Sequence, residues 1–123
     1  MQDAFLDFLR SALIPILRTD IAAGTSCDVH LCLIGVSAGD AVRLLGKEYL
    51  CAMHVHDNDG TKDWHWMPYH GLTNWEDFSA ALQEIGFDGT LSIETKLARD
   101  PSEEPLEVKK KQLFEAAKRI AGR

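Results

Sequence analysis

This chain of 123 residues is short of several things, and each scarcity removes a class of protein. Its three cysteines, Cys27, Cys32 and Cys51, are an odd number without framework spacing, which excludes a disulfide scaffold. A reduced, cytoplasmic protein with buried thiols is expected. Basic residues are outnumbered, with 13 Lys and Arg against 19 Asp and Glu and a net charge of −6. The positive surface that phosphate contacts need is absent, so no nucleic-acid partner is expected. The run Lys109-Lys-Lys111 is offset by Glu103, Glu104 and Glu107 and reads as a solvated helix face. No apolar run is long enough to span a membrane. The start, Met1-Gln-Asp-Ala-Phe-Leu-Asp7, is acidic where a signal peptide begins basic. There is no internal repeat, low-complexity tract or linker, so residues 1–123 are expected to form a single domain.

What is present is an ordered alternation of elements. Residues 3–17 read as a helix that Pro15 ends or kinks, apolar around most of its circumference. Cys27 to Leu33 reads as a strand. Ser37 to Leu45 reads as a short helix, with Ser37 and Asp40 at capping-box spacing and Gly46 just beyond. Tyr49 to His56 reads as a second strand. Asn74 caps a helix whose Trp75, Phe78, Ala81, Leu82 and Ile85 follow the helical period until Gly86. Gly89 to Thr95 reads as a third strand. After Pro101 and Pro105 a last helix runs to about Ile120, with Leu106, Leu113, Ala117 and Ile120 facing inward. Strands alternating with helices predict parallel βαβ units, an α/β fold.

The densest chemistry lies in His54-Val-His-Asp-Asn-Asp-Gly-Thr-Lys-Asp-Trp-His65, which gathers three histidines and three aspartates around one glycine. Side chains two apart share a strand face. His54 and His56 therefore point together, Glu94 lies with Ser92 and Thr90, and Asp28 and His30 lie with Cys32. Each strand has one apolar face and one face of polar or small groups. The polar faces would converge on Asp28, His30, His54, His56 and Glu94, near the strand C-termini where α/β folds bind ligands. Mixed imidazole and carboxylate donors suit Mn, Mg, Co or Zn.

The ordered series His54-Val-His-Asp-Asn-Asp-Gly60, Asp63-Trp-His65, Pro68-Tyr-His-Gly71, Asn74-Trp-Glu-Asp-Phe78 and Gln83-Glu-Ile-Gly-Phe-Asp-Gly-Thr-Leu-Ser-Ile-Glu94 resembles the xylose isomerase-like TIM barrels. The resemblance is nearest to their sugar phosphate isomerase/epimerase group and covers roughly residues 27–95. It implies a (β/α)8 barrel with a divalent metal at its C-terminal rim. It further implies that His56 is a metal-binding histidine and that Glu94 is both metal ligand and catalytic acid/base. Asp63 and His65 match a pair that binds an extra metal in the AP endonuclease branch. Asp28-Val-His30 resembles a segment in which a metal-binding aspartate precedes a substrate-contacting histidine by three residues. The spacing here is two, so either a residue is missing or Cys27 holds the aspartate position. His54 and Lys62 join His30 as candidates for contacting substrate oxygens.

A (β/α)8 barrel takes ~250 residues. The resemblance therefore covers a C-terminal half, and the fold expected is a partial TIM-type barrel with parallel strands and flanking helices. The implied activity is metal-dependent isomerisation or epimerisation of a small sugar or sugar phosphate, by proton transfer beside a metal-polarised carbonyl. The family's other catalytic glutamate has no counterpart. Two readings follow. In one, the chain completes its site as a homodimer or with a complementary barrel half, because open sheet edges and an all-round apolar helix favour association. In the other, it is a truncated, non-catalytic remnant. AP endonuclease-type phosphodiester hydrolysis is disfavoured by the acidic balance, and the cysteine spacings fit no closed structural zinc pattern.

Overall fold

A computed structural model of the chain describes residues 37–50, 52–62 and 64–122. The predicted helix over 3–17, the predicted strand over 27–33, and the site candidates Asp28, His30 and Asp63 lie outside the described residues, as do Cys27, Cys32 and Cys51. The described elements run α1 (Ala38–Leu45), β1 (Ala52–Val55), α2 (Trp75–Glu84), β2 (Thr90–Ile93), a 3-10 turn (Leu97–Arg99) and α3 (Leu106–Ile120). The strands pair in parallel, with Ala52 opposite Thr90, Met53 opposite Leu91, His54 opposite Ser92 and Val55 opposite Ile93. β1, α2 and β2 form one βαβ unit, and the architecture is α/β, that of part of a TIM-type barrel. No helix among the described residues is long and apolar enough to cross a membrane.

Local chemistry sets the helix ends. The Ser37 hydroxyl accepts the Asp40 N–H at 3.1 Å and starts α1. The Asn74 side chain accepts the Asp77 N–H at 3.0 Å and starts α2. Such caps fill one of the orphan donors that every helix begins with. Gly86 stops α2 at φ 66°, where a Cβ would be strained. There the Phe87 N–H reaches back to the Leu82 carbonyl at 2.9 Å.

The strands are shorter than the sequence pattern predicts. Tyr49 and Leu50 both turn back to the Gly46 carbonyl at 3.3 Å, so β1 begins only at Ala52. His56 and Glu94 stand just past the C-terminal ends of β1 and β2. Met53 and Val55 are buried, and Leu91 and Ile93 pack partly buried against the same core, as alternation requires. The predicted inward face of α3 holds for Ile120. Leu106 is instead 54% exposed, while Lys109 and Ala116 are the other buried positions of that helix. Lys109 goes inward because its ammonium donates to the Leu97 carbonyl at 3.2 Å while its stem covers apolar surface.

Trp75 and Phe78 meet edge to face, 5.5 Å between ring centroids, in a core that includes Val42, Leu45, Met53 and Val55. Truncating either aromatic to alanine would cost about 3–5 kcal/mol. Arg43 of α1 ties that helix to α2. It reaches Asp77 at 2.7 and 3.2 Å and Glu84 at 2.7 and 3.2 Å. A Cβ at Gly39 would run into the Asp77 carboxylate, so a larger residue there would displace the Arg43–Asp77 pair.

Candidate functional site

The segment joining β1 to α2, residues 56–74, is long for a connection and has no helix or strand among its described residues. Loops of that kind inside compact folds are usually functional. Its shape rests on Asp57, a fully buried carboxylate. One oxygen accepts the N–H groups of Asn58 at 2.9 Å and Thr73 at 3.1 Å. The other accepts the Gly71 N–H at 3.1 Å and the indole N–H of Trp75 at 2.7 Å. The Asp57 backbone also exchanges two 2.8 Å bonds with Trp66, making an antiparallel bridge. At Gly71 a Cβ would collide with the Asn58 carbonyl and the Asp57 carboxylate, so only glycine fits. Asp57 therefore organises the loop and contributes no reactive group.

Asp59 closes the turn that follows, accepting the Thr61 hydroxyl at 2.6 Å and the indole N–H of Trp64 at 3.0 Å. The Thr61 hydrogen bonds hold its carboxyl below the usual aspartate value. Lys62 is exposed, with its ammonium 5.2 Å from the Trp64 ring centroid.

The folded loop returns His65 to the strand ends. His56 is buried, and its ring stacks on that of His65, 4.0 Å between centroids and 18° between planes. His65 has φ 56°, a left-handed backbone that costs a residue with a Cβ about 1 kcal/mol or more. Such strain concentrates where function needs a side chain held in place. The Lys96 N–H donates to the His65 carbonyl at 2.8 Å, and His65 Nδ1 lies 3.1 Å from the Glu94 carbonyl oxygen. A carbonyl only accepts, so Nδ1 carries the hydrogen and the lone pair of the neutral ring is on Nε2. Metal-binding histidines are commonly oriented by this kind of backbone bond. On the shared polar face, His54 Nδ1 stands 3.4 Å from Glu94 Oε2, with both side chains about half exposed.

Of the residues expected from the sequence, the fold thus gathers His54, His56, His65 and Glu94 at the C-terminal ends of two adjacent parallel strands. Among the described residues, no group of three or more His, Cys, Asp and Glu is arranged to hold a metal ion. The donor chemistry of Glu94 and a histidine, His56 or His65, suits two ligands of a divalent cation. A third donor would have to come from outside the described residues.

The family model for xylose isomerase-like TIM barrels matches residues 30–116. The chain belongs to that family. The xylose isomerase-like barrels include sugar isomerases and epimerases as well as AP endonuclease-like members. An uncharacterized protein of Methanocaldococcus jannaschii is 44% identical over 48 residues, 39% of this chain and 16% of that protein. An uncharacterized protein of Sinorhizobium fredii is 36% identical over 50 residues, 41% of this chain and 16% of that protein. The matched segment is thus about a sixth of the length of these curated relatives. No solved structure matches the chain significantly.

One feature of this region carries no signal in the sequence. Asp100, fully buried, accepts the Met67 N–H at 3.0 Å and the Ser102 N–H at 3.1 Å and pairs with His70 Nδ1 at 2.9 Å. It ties the end of the loop to the segment leading into α3. Nothing in the Asp-Pro-Ser string distinguishes it from an ordinary turn aspartate, because its partners Met67 and His70 lie 33 and 30 residues away.

Proposed function

We propose that the strand-end cluster is one side of the site of a metal-dependent sugar or sugar phosphate isomerase or epimerase. Glu94 moves the proton beside the substrate carbonyl, and His54 orients its carboxylate. The observation that carries this reading is the His54–Glu94 pair, an imidazole and a carboxylate 3.4 Å apart on adjacent parallel strands of a xylose isomerase-like barrel segment. A carboxylate at the exposed end of such a pair can accept a proton from a carbon beside a carbonyl and return it to the neighbouring carbon. Half exposure of both side chains leaves room for a substrate to reach them. The stacked His56 and His65 form the buried wall behind this pair.

A divalent cation, when bound, polarises the substrate carbonyl and so acidifies the adjacent C–H. Its protein donors would be Glu94 with His56 or His65, completed by Asp28 or Asp63 from outside the described residues. His30 and Lys62 are assigned to substrate oxygens. The second acid/base comes from a partner, either a second copy of this chain or a complementary barrel half.

The test is a turnover assay with Mn or Mg across several ketoses, together with metal content and light scattering of the eluted protein. Turnover that falls by about 10²–10⁴ in Glu94→Gln supports the assignment. The absence of turnover in the wild type, or its survival in Glu94→Gln, refutes it.

A further inference from the structure

We propose that Lys96 and Arg99, on the turn that follows Glu94, form an anion subsite at the edge of the strand-end site and hold the phosphate of a phosphorylated sugar. The inference rests on the strand-end reading and narrows its substrate from a neutral sugar to a sugar phosphate. The Lys96 N–H donates to the His65 carbonyl at 2.8 Å, and the Thr95 hydroxyl donates to the Trp66 carbonyl at 3.4 Å. The chain beyond Glu94 is thereby pinned against the loop that carries His65. Exposure alternates along it, with Glu94 and Lys96 exposed and Thr95 half-buried. Two residues of extended chain span at most about 7 Å, so Lys96 starts close beside Glu94.

The Arg99 N–H donates to the Lys96 carbonyl at 2.8 Å, which closes the 3-10 turn. Side chains three apart lie on one side of such a turn, so the two cationic groups project together. Both are exposed, and neither side chain makes an ion pair or hydrogen bond among the described residues. The carboxylates nearest to them in the chain are committed elsewhere. Glu94 faces His54, and Asp100 is buried and taken up by His70 and by the amides of Met67 and Ser102. Other described bases behave differently. Arg43, Lys47, Lys110, Lys118 and Arg119 each pair with a carboxylate. Lys109 is buried near Asp100, and Lys62 covers the Trp64 ring. Among the described residues, Lys111 on α3 is the one other exposed base without a partner.

An uncompensated pair of bases is the exception in a chain of net charge −6, and this pair stands next to the proposed catalytic carboxylate. A guanidinium presents a fork of donors matched to phosphate oxygens, and an ammonium adds a point charge. Two charges suit one small dianion and are too few for the backbone of a nucleic acid. A chain that repels anions as a whole needs such a local positive edge to bring an anionic substrate to Glu94.

The experiment is an NMR titration of the ¹⁵N-labelled full chain with inorganic phosphate. Saturable shifts are expected at the amides of residues 96–99, with a Kd on the order of 1 mM that rises with added NaCl. Replacing both bases, Lys96→Gln with Arg99→Gln, should weaken binding about tenfold. Arg99→Gln alone serves the same purpose should the double variant fail to fold. Lys111→Gln, at an equally exposed base, should leave the affinity unchanged. Glu94→Gln removes a negative charge close to the subsite and should tighten binding about twofold, which ties the anion to the strand-end site. No arm depends on turnover, so this inference and the strand-end chemistry fail separately. The absence of saturable shifts at residues 96–99, unchanged affinity in the variant that folds, equal weakening in Lys111→Gln, or no change in Glu94→Gln would overturn the proposal.

Discussion

Replacing Asp57 by asparagine changes one oxygen to an NH2 group and nearly nothing in volume. The carboxylate it replaces accepts four donors, two on each oxygen: Asn58 and Thr73 on one side, Gly71 and Trp75 on the other. An asparagine in either orientation turns its NH2 group toward two of those donors, so two buried N–H groups lose their acceptor. Each orphaned buried donor costs about 1–3 kcal/mol, and bonds to a charged acceptor lie at the stronger end. The expected loss is therefore about 3 kcal/mol or more even after local relaxation. At about 3–5 °C per kcal/mol for a chain of this size, the melting temperature should fall by about 10–15 °C. Urea unfolding checks this directly, with a lower midpoint and an unchanged slope. Asp59→Asn is the matched control, since Asp59 serves a local turn with exposed bonds to Thr61. Should Asp57→Asn cost no more than Asp59→Asn, the assignment of Asp57 as the hub of the loop is wrong.

Further expectations rest on independent contacts. Gly71→Ala should destabilise by several kcal/mol, about as much as the worst core truncations, because the clash is with the fixed Asn58 backbone; thermal unfolding reads it. Asn74→Ala should cost about 1 kcal/mol by removing the α2 cap, and a urea midpoint shift measures that. Hydrogen bonds from Arg43 hold the carboxyls of Asp77 and Glu84 below their ordinary values of 3.8 and 4.5. Lowered folded-state values mean stability that is complete above the ordinary values and is lost as pH falls through and below them. Arg43→Leu should flatten that part of the acid limb in pH-dependent unfolding, and an acid limb identical to wild type would contradict the pairing.

The candidate site was legible in the sequence in its parts but not in their connections. The sequence pattern marked the His54–His65 segment, Glu94 at a strand end, and the split between apolar and polar strand faces, because alternation is a local rule of the extended backbone. It did not reveal that Asp57 is consumed in holding the loop, since its four donors extend from Asn58 to Trp75 and become neighbours only after the loop closes. Nor did alternation distinguish His54 from His56, to which the family resemblance alone gave different roles. Their alternation is the same, yet β1 ends at Val55, leaving His54 half exposed beside Glu94 and His56 buried against His65.

By itself the sequence determined the helix ends at Ser37 and Asn74, the period of α2 and the stops at Gly46 and Gly86. Each of these depends on hydrogen bonds or dihedral preferences spanning only a few residues. It also carried the family resemblance, through a series of motifs whose order is a property of the chain. Tertiary structure alone decided the parallel register that brings His54 to Glu94, and the reach of Asp100 back to Met67 and His70. It also decided which side of α3 is buried, with Lys109 inward and Leu106 outward. These depend on contacts between residues some ten to forty positions apart. Their energies are fixed by packing and by the need to satisfy buried polar groups, and no local preference encodes them.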